Sequence, residues 1–85
     1  MMKVNKNIAI SENGFIFNAG RGDSYSVNPI GKEILEMIKE QKSQDDIKSY
    51  ILDTYDVDEE TIDKDLYDFI TQLSNNNLIE TNEQA

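Results

Sequence analysis

The chain has 85 residues, no cysteine, no histidine and a formal net charge of −9. That length fits one small domain around a single core. The missing residue types exclude a disulfide framework, a thiolate nucleophile and the commonest general base and metal ligand. The charge is uneven, +1 over residues 1–42 and −10 over residues 43–85, so the second half repels phosphate backbones and serves either for simple solubility or as an acidic docking face for a basic partner.

The opening Met-Met-Lys-Val-Asn-Lys has no apolar core of the kind a secretion signal needs, and no run is long enough to span a membrane. The expected compartment is therefore the cytosol, with no membrane partner. Asn7-Ile-Ala-Ile-Ser11 alternates as a first strand with Ile8 and Ile10 on one face. Asn13-Gly14 follows as a hairpin signal, since both residues tolerate the positive φ of a type I′ turn. Phe15-Ile-Phe-Asn18 returns as a second strand, with Phe15 and Phe17 sharing a face. Gly20-Arg-Gly-Asp23 makes a second turn; its Arg-Gly-Asp-Ser matches an adhesion tetrapeptide, but without a secretion signal it reads as a turn. Tyr25 and Val27, alternating with Ser24 and Ser26, form the third strand of a meander whose apolar face the rest of the chain must cover.

At Asn28 the pattern changes from sheet to helix. Asn28 can cap exposed helical amides, Pro29 suits the first helical position, and Gly31 permits close backbone approach. A first helix runs to about Gln41, with Ile30, Ile34, Leu35 and Ile38 as its core stripe and Met37 on the flank. Ser43 is the next cap, with Asp45 and Asp46 favoured in the first turn by the helix dipole. The second helix carries Ile47, Tyr50, Ile51 and Tyr55. A third begins at Asp58 or Thr61 and turns Ile62, Leu66, Phe69, Ile70 and Leu73 inward, with Asp65 and Gln72 flanking. Asn75-Asn-Asn77 ends it, asparagine being suited to a left-handed cap. Leu78-Ile79 packs back on the core, and 81–85 fray. The expected fold is α+β over a single domain, 1–85: a three-stranded antiparallel meander followed by three helices, like a winged helix-turn-helix.

The sequence holds no Ser/His/Asp or Cys/His group, no phosphate-cradling glycine loop and no calcium-loop spacing among its carboxylates. It reads as a non-enzyme without cofactor or metal. What remains is geometric: an exposed edge strand presents unpaired main-chain groups. Connectivity leaves open which strand lies outermost. If it is the third, an extended peptide can add beside it as a fourth strand, next to the last helix. Leu66 and Leu73 read as core; Phe69, with Asp65 and Gln72, reads as groove.

Tyr25-Ser-Val-Asn-Pro-Ile-Gly31 resembles the Tyr-x-Leu-Asn-Pro-Thr-Gly signature of PqqD-like proteins, the recognition elements for ribosomally made precursor peptides. Ile47 to Tyr55, Val57-Asp58 and Leu73-x-x-x-x-Leu78-Ile79-Glu80 extend the match over roughly residues 8–80. The chain departs from the family where Gln41-Lys42 and Asn77 stand in place of glycines. The resemblance implies a non-catalytic chaperone that binds a precursor's leader peptide between the third strand and third helix. It then presents the leader to a modifying enzyme, such as a radical SAM enzyme or a leader peptidase. By position, Ser24, Tyr25, Ser26 and Val27 would contribute from the strand, and Asp65, Phe69 and Gln72 from the helix.

Two other readings compete. One is a winged-helix DNA-binding regulator, although Asp58 to Asp65, at the start of its recognition helix, has one lysine among five acids and so disfavours nucleic acid. The other is an interaction domain that forms a homodimer through the same sheet edge.

Overall fold

Period-2 and period-3.6 patterning separate the chain into two halves, and the computed structural model, which describes residues 2–81, follows that division. In order it contains β1 (Met2–Val4), β2 (Ile8–Ile10), β3 (Phe15–Asn18), β4 (Asp23–Ser26), α1 (Pro29–Lys39), α2 (Gln44–Thr54), α3 (Glu59–Asn75) and β5 (Ile79–Thr81). Strands β2, β3 and β4 form the antiparallel meander in that order, and three helices follow it. No described helix is long and apolar enough to cross a membrane.

Strands β1 and β5 form a second, two-stranded antiparallel sheet that pairs Met2 with Thr81 and Val4 with Ile79. The expected fraying from Thr81 is thus corrected at Thr81; residues 82–85 lie outside the described residues. The cause of the pairing is visible at the end of α3. Asn77 adopts φ 60, Leu78 N–H reaches back to the Leu73 carbonyl at 2.9 Å and Asn77 N–H to that of Ser74 at 3.0 Å, a Schellman cap that reverses the chain. Asn5 then accepts the reversed chain: its side chain donates to the Asn77 carbonyl at 3.1 Å and its N–H to that of Leu78 at 3.0 Å. Met2, Leu78 and Ile79 are buried by the closure.

One turn differs from its expected form, and a second is closed by a side chain. Inside the bonded pair Ser11 and Phe15 the β2–β3 hairpin has a three-residue loop, Glu12 to Gly14, closed by Gly14 N–H to the Ser11 carbonyl and Ser11 N–H to that of Phe15. Only Gly14 has positive φ (+86), so this is a type I turn plus a left-handed glycine and not a type I′ pair. In the β3–β4 turn, the buried Asn18 side chain accepts from the Gly20 and Arg21 amides at 3.0 and 3.3 Å. That satisfies a polar group placed in the interior.

The core is a single cluster that includes Ile16, Leu35, Ile38, Ile47, Ile51 and Leu66. Phe15 and Phe17 do share a face, but it is the outer one: they are 60% and 48% exposed, while Ile16 between them is fully buried. One residue of phase decides this, because side chains alternate across a strand. Ser43 and Asp46 form a reciprocal capping box at the start of α2, which fixes the α1–α2 corner. Gln41 occupies the left-handed position after α1 (φ 66), where its own and Lys42's N–H groups return to the Ile38 and Met37 carbonyls.

Candidate functional site

The strand-to-helix junction builds one wall of a cleft. The Asn28 side chain accepts the Gly31 amide at 2.8 Å, and Pro29 is the first residue of α1, so the chain leaves β4 and enters α1 without a loop. Gly31 lets the junction approach α3: a Cβ there would lie 3.0 Å from Val27 Cβ and 3.2 Å from the Phe69 ring. Between these elements lies an open cleft of about 420 Å³. Ser26 and Val27 line it from the end of β4, Asn28, Ile30, Gly31 and Ile34 from the junction and α1, and Ile62, Asp65, Phe69 and Gln72 from α3; Ile51 and Val57 complete the wall.

Of the residues singled out in the sequence, Ser26, Val27, Asp65, Phe69 and Gln72 therefore meet around one cavity. Ser24 and Tyr25 lie further along β4 and do not line it; Tyr25 is half-buried against the core. Leu66, Ile70 and Leu73 are core residues, whereas Phe69 and Ile62 of the same helix line the cleft. Val57 and the isoleucines of its wall were not anticipated as site residues. Val57 had a local signal, an exposed apolar residue between Asp56 and Asp58 in a connection. The isoleucines had none, since a stripe residue at a cleft and one in the core look alike in sequence.

The β4 backbone gives this cleft its open side. Val27 N–H donates to the Gly14 carbonyl at 2.9 Å, and the register pairs Tyr25 with Ile16 and Asp23 with Asn18. In an antiparallel ladder the main-chain groups of alternate residues point to opposite sides. Residues 23, 25 and 27 thus serve β3, whereas the N–H and C=O groups of Ser24 and Ser26 point away from the sheet. The other side of β3 agrees: Phe15 and Ala19 bond toward β2 through Ser11 and Asn7. Among the described residues no strand lies beyond β4. Among the described residues no strand pairs with the outer edge of β2 either, where the Ile8 N–H is bonded to the Asn5 carbonyl, and that edge does not border this cleft.

The cleft is apolar apart from Ser26, Asn28, Gln72 and the single carboxylate of Asp65. It can hold an extended chain by main-chain pairing at one wall, apolar side chains against Phe69 and the isoleucines, and a cation near Asp65. A second depression of about 570 Å³ lies between α1 and α2, with Glu33, Glu36, Met37, Glu40, Lys42, Asp46 and Tyr50 around it. There Glu33 accepts hydrogen bonds from the hydroxyls of both Tyr50 and Tyr55. These bonds hold its carboxyl below the usual carboxylate range and, chiefly through Glu33, push the Tyr55 hydroxyl up to about 12. The pair ties α1 to α2 as a structural bridge. Lys48 does the same for α2 and α3, at 2.8 Å from both Glu59 and Asp63. No trio of Asp and Glu among the described residues is placed to hold a metal ion.

The family described as Coenzyme PQQ synthesis protein D (PqqD) matches residues 13–79. Among solved structures, the chain is similar to a lasso peptide synthetase B1 complexed with the leader peptide. That match has TM-score 0.83 and 16% identity and covers 94% of this chain and 98% of the other. It is also similar to TbiB1 in complex with the TbiA(beta) leader peptide, with TM-score 0.85, 25% identity, and 96% and 99% covered. No curated protein sequence matches.

Proposed function

Since the chain belongs to the PqqD family, we propose that it is a non-catalytic chaperone for the leader segment of a ribosomally made precursor peptide. The leader adds to the outer edge of β4 as an extra antiparallel or parallel strand. Its side chains on the inner side enter the cleft between β4 and α3, where Phe69 offers an aromatic contact and Asp65 favours a lysine or arginine. The chaperone then presents the bound leader to a modifying enzyme.

The observation that carries this reading is the pair of outward-pointing main-chain sets on Ser24 and Ser26 beside a cleft lined by Phe69. Pairing with the backbone gives affinity that tolerates many sequences, and the cleft supplies preference. Neighbours of the same fold were solved with leader peptides, which supports the class of ligand.

The test is a titration of the isotope-labelled chain with the leader peptide encoded in the adjacent genes. Amide resonances of residues 24–27 and of the Asp65–Gln72 face of α3 should move together and saturate. A leader that binds while leaving those amides unmoved, or that fails to bind at all, contradicts the proposal.

A further inference from the structure

Val57 belongs to the short connection between α2 and α3, and that connection is tied down on both sides of it. Two residues before it, the Tyr55 hydroxyl donates to the Glu33 carboxylate of α1. Two residues after it, Glu59 accepts from Lys48 of α2 at 2.8 Å, and Lys48 also holds Asp63 of α3 at 2.8 Å. The Val57 N–H donates to the Tyr55 carbonyl at 3.1 Å, and the Asp58 carboxylate accepts from the Thr61 hydroxyl at 2.7 Å. The connection is thus fixed relative to all three helices.

Val57 is 37% exposed and lines the cleft. Among the described residues, the other exposed large hydrophobics are Phe15, Phe17, Tyr50 and Tyr67, and none of them borders it. A lone exposed valine is ordinary. One anchored from both sides on a cleft wall is a surface of constant position, and discrimination by size needs such a surface.

We infer that Val57 is a specificity-determining residue of the cleft. It limits the size of the leader side chain that enters there, an aliphatic one, with Glu33, Tyr55 and Lys48 as positioning residues. This rests on the strand-addition reading above. Tyr25 lies opposite the buried Ile16, and Val27, two residues on, shares its inner face. A leader strand at this edge carries an inward side chain level with Val27, which enters the cleft and meets Val57 with Ile34, Ile51 and Ile62. These β-branched walls are stiff at χ1 and yield little to a misfit. A methylene too many or too few in such a pocket changes affinity by about 10- to 200-fold. Loss of an anchor leaves the apolar surface present but lets the connection shift, so it blurs the choice of leader and does not abolish binding.

The experiment uses the full chain with the leader peptide encoded in the adjacent genes, and synthetic versions in which each apolar residue in turn becomes alanine or phenylalanine. At one leader position both changes should weaken binding to wild type by about tenfold or more in calorimetric titration. Val57→Ala should bind the phenylalanine version at that position at least about tenfold more tightly than wild type does. Val57→Ile should shift preference the other way, toward the alanine version. Val57 is exposed, so both variants should keep wild-type urea midpoints to within a small shift. Tyr55→Phe and Lys48→Met should compress the spread among leaders at that position to about threefold or less. A merely structural loss would weaken every leader alike and keep the spread; that result overturns the positioning roles. If no leader position couples to Val57 while the amides of residues 24–27 still shift on titration, the inference falls alone. If those amides do not shift with the natural leader, the proposed function falls with it.

Discussion

Two proline substitutions one residue apart on β4 separate binding from folding. Ser26 directs its N–H away from β3, while Tyr25 bonds inward opposite Ile16. Pairing a leader across Ser24 and Ser26 offers up to four main-chain hydrogen bonds, each worth about 1 kcal/mol net. That is about 4 kcal/mol, or roughly a thousandfold in affinity. Ser26→Pro removes one donor and strands the peptide carbonyl that would have met it, at a cost of about 1–3 kcal/mol. The leader should therefore bind about 5- to 150-fold more weakly. The same change breaks no bond to β3, and a proline on an open edge is tolerated, so folding stability should fall by less than about 1 kcal/mol. Tyr25→Pro cuts the ladder and removes a half-buried ring, and should destabilise the fold by about 3 kcal/mol or more. Calorimetric titration with the leader and urea denaturation of both variants provide the comparison. Wild-type leader affinity in a folded Ser26→Pro variant would refute the assignment of that edge as the binding row.

Gln41→Gly should stabilise the chain by about 1 kcal/mol, because a non-glycine residue at φ 66 carries a left-handed penalty only partly offset by glycine's unfolded-state entropy. Asn77→Gly should gain less in the same denaturation assay, asparagine being tolerant of that region. Gly14→Ala should cost about 2 kcal/mol or more: its φ is +86, and the new Cβ would sit 2.6 Å from the Val27 carbonyl oxygen, a backbone atom with little freedom to move. The Tyr55 hydroxyl titrates near 10 when unfolded and is pushed up to about 12 in the fold by its bond to Glu33. Its contribution is thus complete below pH 10 and is lost as the pH rises from about 10 to about 12. Urea midpoints measured across that window should fall less steeply for Tyr55→Phe than for wild type.

The meander, the three helices and the caps were legible because each rests on local chemistry: alternation in 7–11 and 24–27, Asn28-Pro29 at the helix start, Ser43 with Asp46. The β1–β5 sheet was not. Each strand is three residues long, and their pairing joins opposite ends of the described chain through Asn5 and Asn77, leaving no short-range trace. The orientation of Phe15 and Phe17 was hidden for another reason. Phe15-Ile-Phe-Asn alternates equally well in either phase, and the decision came from Ile16 and Asn18 fitting the interior. Around the cleft, Asp65, Phe69 and Gln72 could be placed on one face of α3 by helical spacing. The openness of the β4 edge could not, since strand order is set by tertiary pairing.

Hydrogen exchange resolved at single amides of β4 puts the central idea to its most direct test. With saturating leader peptide, the Ser24 and Ser26 amides should change from rapid to slow exchange, while Tyr25 and Val27, already bonded to β3, should exchange slowly in both states. Equal exchange at Ser24 and Ser26 with and without bound leader would show that no strand adds at this edge.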